Sequence, residues 1–417
     1  MQDAARRRRP WRASRWREFR ILAVEQYGAG PFGTMYLANQ GAEVIKIENP
    51  ADGGDMARAV GPYFFDDDGK QSQFFHSFNL NKRSVALDLR NADGRRIFRE
   101  LAATADAVTN NLRGDVPEKL GIDYASLKDV NPGIVCAHLS AYGRDGSRKT
   151  WPGYDYLMQA EAGWFSVTGE PGSPPSRFGL SVVDLMTGVT MAFGVTSAIL
   201  QARATGEGRD VDVSLFDLAL HTVTYLSTWY LNAGHVQDRL PRSAHPSLTP
   251  CQTYRTKDGW IYLMCNKEKF WPALCQKIGR PELGSDPRFA TFRDRLAERP
   301  AIQEILDDAL SAKTTAEWMA EFGGSVPASP ILDIADAMDN PFVAERDSIH
   351  RFPPPPNGPA LGLEEAFRMV AHPIRNSGSA PPKRPGPELG GDTDALLAEL
   401  GYDGDRIAAL RKTGAVG

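Results

Sequence analysis

Two places in this chain hold residues whose type and spacing could do chemistry. Asp184 follows the run Leu180-Ser181-Val182-Val183 and precedes a stretch, Leu185 to Ala202, with no charge before Arg203. A carboxylate at the head of a helix receives free N–H groups and the positive end of the helix dipole, which keeps it ionised at neutral pH. On the residues alone, Asp184 is an N-cap or a reactive anion. The second place is Gly28-Ala29-Gly30-Pro31-Phe32-Gly33, which fits G-x-G-x-x-G between an apparent strand and helix, with Glu48 twenty residues on. That context admits three readings. The turn binds NAD(P), or its glycines serve packing only, or it receives another adenosine diphosphate ligand such as coenzyme A.

Other chemistries find less support. Cys136, Cys251, Cys265 and Cys275 form no C-x-x-C, and the seven histidines include no H-E-x-x-H. No metal site and no disulfide framework is implied, and a reducing cytoplasm is the expected location. The formal net charge is −4 over 417 residues, with 42% hydrophobic and 24% charged residues, as in an ordinary globular protein. Residues 1–20 hold eight arginines against Asp3 and Glu18, a net of +6, so the remainder carries −10. We read residues 1–18 as a basic, disordered extension. No aromatic-studded basic patch follows it, so nucleic acid is not an expected partner. The uncharged stretch after Asp184 contains Gly188, Gly194, Thr187, Thr190 and Thr196. It reads as a buried helix packed closely on backbone, not a membrane span.

The elements that must position these residues alternate. Strands are expected at Arg20–Val24, Glu43–Ile47, Ser84–Leu89, Asp106–Thr109 and Gly133–Ala137, and helices at Gly28–Asn39, Asn91–Ala105 and Tyr124–Val130. Such alternation predicts an α/β fold with a doubly wound, mostly parallel, Rossmann-like sheet. We assign 19–205 and 360–417 to this large domain, 206–249 to linker helices and 250–345 to a smaller α+β domain. The smaller domain carries a hairpin, Gln252–Tyr254 with Trp260–Met264, and helices at 268–278 and 300–323. A Pro-rich connector spans 346–359, residues 366–376 return as a strand to the large domain, and Asp392–Arg411 form one terminal helix.

From Phe19 onward the chain resembles the family III CoA-transferases, a family with an α-methylacyl-CoA racemase branch. The resemblance rests on Ala29-Gly30-Pro31, on Gly41 to Glu48 and on Asn81-Lys82-Arg83-Ser84 with the strand after it. It rests also on Pro152-Gly153-Tyr154-Asp155, Thr168-Gly169-Glu170-Pro171 and the ending Leu397 to Tyr402. It implies transfer of CoA from an acyl-CoA donor to an acceptor carboxylic acid, with CoA as substrate and no tightly bound cofactor. It implies a homodimer of interlocked rings that does not dissociate without unfolding. The position matching the family's nucleophile is Asp184, which would carry an aspartyl anhydride and then an aspartyl-CoA thioester.

The same resemblance places Tyr27 and Ala29 near the pantetheine and phosphates, Leu87 at the adenine, and Asn111 and Leu112 beside the nucleotide. Asn49 stands where relatives often carry a basic residue, and Lys119 replaces an arginine that meets a phosphate, which a lysine contacts only as a point charge. Tyr154 replaces the histidine of the racemase branch beside Asp155. A tyrosine is a poor base at neutral pH, so the racemase alternative loses one partner. Tyr154 and Asp155 are then both placed at the CoA site, Asp155 as a buried hydrogen-bonding group. Gly28 stands where the oxalate-using member has glutamine. Ser243 to Leu248 replace that member's glycine-rich loop, so His245 is either an acceptor contact or a surface histidine.

Overall fold

The computed structural model describes residues 19–63, 72–352, 367–376 and 384–417. The basic extension and half of the Pro-rich connector, residues 353–359, lie outside them. The chain divides into two units, one of residues 1–158, 180–222 and 347–417 and the other of 159–179 and 223–346.

The first unit is built on six parallel strands in the order β3-β2-β1-β4-β5-β6. They are β1 (Arg20–Val24), β2 (Glu43–Glu48), β3 (Arg83–Ala86), β4 (Ala107–Asn110), β5 (Val135–Ser140) and β6 (Arg209–Ser214). The central strands are buried on both faces, as their unbroken apolar runs require. The strand order reverses beside β1, so the crevice between the carboxyl ends of β1 and β4 is where such a sheet binds ligand. Helix α1 (Ala29–Asn39) leaves the β1 turn, with Pro31 its third residue. A long helix, Val182–Thr205, packs its buried face, Val183, Thr187, Gly188, Met191 and Val195, on this unit. That helix is long and apolar enough to cross a membrane by length and composition. Yet its small residues meet backbone: a Cβ on Gly188 would lie 2.3 Å from the Ala29 carbonyl oxygen, and one on Gly33 would lie 2.2 Å from that of Gly188.

The second unit holds the antiparallel sheet β7 (Cys251–Arg255), β8 (Trp260–Met264) and β9 (Ala328–Pro330). Its apolar core gathers Tyr254, Ile261, Trp271, Phe289, Leu306 and Phe322. Capping boxes at Thr291/Asp294 and Thr314/Glu317 start two of its helices.

Four expectations are corrected. Residues 206–249 are not all linker helices, because Arg209–Ser214 is the sixth strand, in parallel register with Val135–Ser140. Its charged alternation suits a sheet edge, where charge discourages further pairing. Within 366–376, β11 (Arg368–Val370) pairs antiparallel with β10 (Ile349–Arg351) as a separate ribbon and does not join the main sheet. The terminal segment is two helices, Thr393–Glu399 and Gly404–Lys412, separated where Gly401 takes a φ of +87°. The segment 300–323 is likewise two helices, Arg299–Leu310 and Thr315–Phe322, parted by the Thr314 cap.

Candidate active site

The turn between β1 and α1 carries a left-handed residue, Tyr27, with φ +70°. Two side chains hold it there. Asp55 Oδ1 accepts the Tyr27 N–H at 2.8 Å. Asn111, at the end of β4, accepts the Gln26 N–H at 2.9 Å and donates to the Gln26 carbonyl at 2.7 Å. The glycines of the turn answer to packing. A Cβ on Gly30 would collide with Asn111, and Gly33 is spent on Gly188. Glu48 does not wait for a ribose: it is buried, with Arg58 donating to it at 2.9 and 2.8 Å and Ser84 Oγ at 2.5 Å. The dinucleotide pattern is therefore accounted for by close approach and a closed ion pair.

Asp184 faces this turn. A Cβ on Gly28 would lie 3.3 Å from its Oδ2. Asp184 is the third residue of the long helix, so Ser181 occupies the N-cap position. The Asp184 N–H donates to Asp155 Oδ2 at 2.9 Å, so a second, buried carboxylate caps the helix start. The Asp184 carboxylate itself accepts no hydrogen bond among the described residues. Burial pushes its pKa up to about 7, and the neighbouring Asp155 charge adds to the rise. Desolvation and a like charge thus act against the stabilisation of the anion expected from the helix N-terminus.

A cavity of about 240 Å³ opens at the carboxyl ends of the strands, lined by Gln26, Asn49, Leu87, Leu112 and Arg90 among others. Asn49 does not offer a free side chain there. It accepts the Ala51 N–H at 3.2 Å and donates to Asp52. Leu87 is buried, pairing as an isolated bridge with Val416, and Leu112 packs partly buried against the same core. Lys119 is turned to Asp115 at 2.5 Å, together with Arg113, and only its neighbour Leu120 lines the cavity. The cation that does line it, Arg90, was missed. It is exposed, with its Nε 3.1 Å from Asp88 and its Nη2 3.6 Å from Asp52. Its signal was available, three residues beyond Leu87. Ala29 is the buried first residue of α1. Tyr154 is 64% exposed, whereas the adjacent Asp155 is buried.

His245 belongs to the second unit. Its Nδ1 accepts the Ser247 N–H at 3.0 Å, its carbonyl takes Arg299 Nη2 at 2.6 Å, and its ring lies beside Tyr225. Burial lowers its pKa, with Arg299 acting in the same direction.

The family profile described as CoA-transferase family III matches residues 17–393. The chain is 35% identical over 375 residues to an acetyl-CoA:oxalate CoA-transferase of Acetobacter aceti, covering 89% of this chain and 92% of the relative. It is 31% identical over 390 residues to a succinate–glutarate CoA-transferase of Agrobacterium fabrum, covering 91% and 94%. Among solved structures, a CaiB/BaiF family protein from Brucella suis superposes with a TM-score of 0.78 at 31% identity, covering 92% of this chain and 98% of that one.

Proposed function

The chain is an enzyme of CoA-transferase family III, which moves CoA between acyl-CoA thioesters and carboxylic acids, and from that premise we propose that Asp184 is its nucleophile and short dicarboxylic acids its acceptors. The observation that carries the first part is the Asp184 carboxylate, partly buried, without a hydrogen-bond donor among the described residues, and held against the Gly28 turn at the ligand edge of the sheet. In its ionised form such an oxygen is poorly solvated and basic, which favours attack on a carbonyl carbon.

The steps balance without any oxidant or reductant. An Asp184 oxygen forms a bond to the thioester carbonyl carbon, the C–S bond breaks, and CoA leaves as thiolate. The thiolate then attacks the aspartyl carbonyl of the mixed anhydride, releasing the donor acid and leaving CoA on Asp184 as a thioester. The acceptor carboxylate attacks that thioester, expelling thiolate again. The thiolate takes the new acyl group from the second anhydride and frees Asp184. CoA would lie in the cavity beside Leu87 and Leu112, with Arg90 as the cation for a phosphate and Tyr27, Ala29 and Asn111 shaping the turn. Asn49 and Lys119 serve it less directly, since Asn49 is held within its own turn and Lys119 does not line the cavity. Asp155 orients the nucleophile through its backbone, and the exposed Tyr154 supports no proton-shuttling role. Dicarboxylic acceptors are drawn from the relatives, whose names specify oxalate and glutarate. Four buried free thiols suit a reducing cytoplasm.

A homodimer completes this reading. The long helix leaves Met186, Val189, Phe193 and Leu200 exposed along one stripe, Phe193 by 75%, and a second copy of the chain would cover it. Sedimentation at micromolar concentration is expected to show a dimer, and a stable folded monomer would refute it.

The mechanism is tested by incubating the enzyme with acetyl-CoA or succinyl-CoA, trapping with hydroxylamine or borohydride, and mapping the modified peptide. Modification at Asp184, absent in Asp184→Ala together with transfer to oxalate and glutarate, is the expected result. Transfer that survives in Asp184→Ala at more than about 1% of the parent rate rejects the assignment, because loss of a covalent nucleophile costs on the order of 10³-fold or more.

A further inference from the structure

Beside the Gly28 turn lie four buried charged side chains to which the proposed mechanism gives no role: Glu25 and Asp55, which also line the cavity, and Lys46 and Lys82. Two of them come from segments that carried the family resemblance without a role, Lys46 from β2 and Lys82 from the Asn-Lys-Arg-Ser run before β3. Each reaches the turn. Lys82 Nζ donates to Glu25 Oε1 at 2.8 Å, to the Pro31 carbonyl at 2.9 Å and to Asn79 Oδ1 at 2.9 Å, which uses all three ammonium hydrogens. Lys46 Nζ donates to the Glu25 carbonyl at 2.9 Å and pairs with Asp55 Oδ2 at 2.7 Å. Glu25 Oε1 also accepts from Thr34 in α1 at 2.6 Å. Asp55 Oδ1 takes the Tyr27 N–H at 2.8 Å and the Ala57 N–H at 2.8 Å, and its own N–H is held by Glu48 at 3.0 Å. The charges cancel within the group. Every contact to the turn ends on backbone: the carbonyl of residue 25, the N–H of 27, the carbonyl of 31.

An apolar plug would fill this space at less desolvation cost, because a buried ion pair seldom outdoes packed hydrophobes in stability. What such a plug lacks is direction. Tyr27 holds a φ of +70°, a region that side-chain-bearing residues avoid. A donor–acceptor pair at its N–H fixes that conformation where undirected contact does not. The residue so fixed precedes Gly28, the wall against which the Asp184 oxygen lies.

We propose that Asp55, tethered by Lys46, is a positioning residue for the covalent step: its carboxylate sets the Tyr27–Gly28 peptide, and thereby the gap in which the thioester carbonyl meets Asp184. Glu25 and Lys82 brace the far end of the same turn at Pro31. The inference rests on Asp184 being the nucleophile.

Asp55→Asn and Asp55→Leu separate the directed bond from the charge. Both lose the charge opposite Lys46, but only leucine also loses the acceptor for the Tyr27 N–H. Single-turnover adduct formation with succinyl-CoA or acetyl-CoA, CoA dissociation constants and thermal melting are measured together. Asp55→Asn is expected to keep at least a fifth of the parent rate. Asp55→Leu is expected to fall at least 30-fold at a temperature where both are folded, with CoA affinity changed less than threefold. Equal loss in both variants, or a loss appearing only as weaker CoA binding, overturns the proposal. So does an Asp55→Leu rate within threefold of the parent. If Asp55→Leu does not fold, Asp55→Ala, which loses the same acceptor without added bulk, decides. It is expected to slow adduct formation at least tenfold; a rate within threefold of the parent rejects the proposal. A parent enzyme that forms no adduct at Asp184 removes the nucleophile reading and this inference with it, whereas a normal parent adduct with an unaffected Asp55→Leu removes this inference alone.

Discussion

Beside the Gly28 turn the side chains shielded from water are Glu25, Lys46, Asp55 and Lys82, whereas in the second unit they are Tyr254, Ile261, Leu263, Trp271, Leu306 and Phe322. The second arrangement gains stability from area removed from water, a term without direction. The first gains little net stability, because two carboxylates and two ammonium groups give up hydration, but each of its bonds has one permitted geometry. The buried guanidinium of the second unit follows the same rule on a smaller scale. Arg295 donates to the Thr249 and Phe289 carbonyls at 3.2 and 2.8 Å and ties those two backbone segments together. Ionic burial is found where backbone must be placed, and apolar burial where a fold must simply hold.

This contrast can be broken or sharpened by substitution. The largest effect on stability is expected in the apolar region: Leu306→Ala should cost about 3 kcal/mol in denaturant unfolding, a transfer and cavity term, while kcat well below the melting temperature stays within twofold. Loss of transfer in a folded Leu306→Ala protein would show that the packing of this unit also sets the chemistry. A smaller effect, of opposite sign, is expected at the site. Asp184 has its pKa raised from 3.8 to about 7, so the folded state holds this proton more tightly than the unfolded chain does. Its contribution to stability therefore diminishes as pH climbs between those two values and is constant above them. Asp184→Asn should consequently raise stability by about 2 kcal/mol at pH 8 and by little at pH 4. An asparagine variant that melts no higher than the parent at pH 8 would show that the Asp184 carboxylate is not strained by its surroundings.

The sheet was legible because its strands are buried on both faces and write that fact as apolar runs. Of the six, only β6 escaped, since Arg209-Asp210-Val211-Asp212-Val213-Ser214 spends its charges at an edge where solvent takes them. Helix breaks at Gly401 and Thr314 were missed for a related reason: apolar spacing continued across residues whose backbone turned. At the site, Asp184 and Asn111 were placed by resemblance, and the structure finds them on either side of one turn. The state of Asp184 was not readable from its neighbours, because the groups that shift it arrive through tertiary contact, Asp155 from 29 residues away. Lys46 and Lys82 were unreadable as positioning groups, since a lysine in or beside a strand is usually solvated. Asn49 and Lys119 show the converse, polar residues at positions the resemblance assigns to binding, each departing from the family's residue there and occupied locally by Asp52 and Asp115.

Where Gly33 and Gly188 meet, main chain rests on main chain, with carbonyl oxygens standing where side chains would begin. Such a seam leaves no soft layer for the two helices to slide on. Asp184 and the loop it faces thus travel as one piece, so gating of substrate entry and product release has to come from other segments. A longer or bulkier acyl chain would have to be accommodated at the periphery of the pocket, because the distance across this joint has no room to adjust.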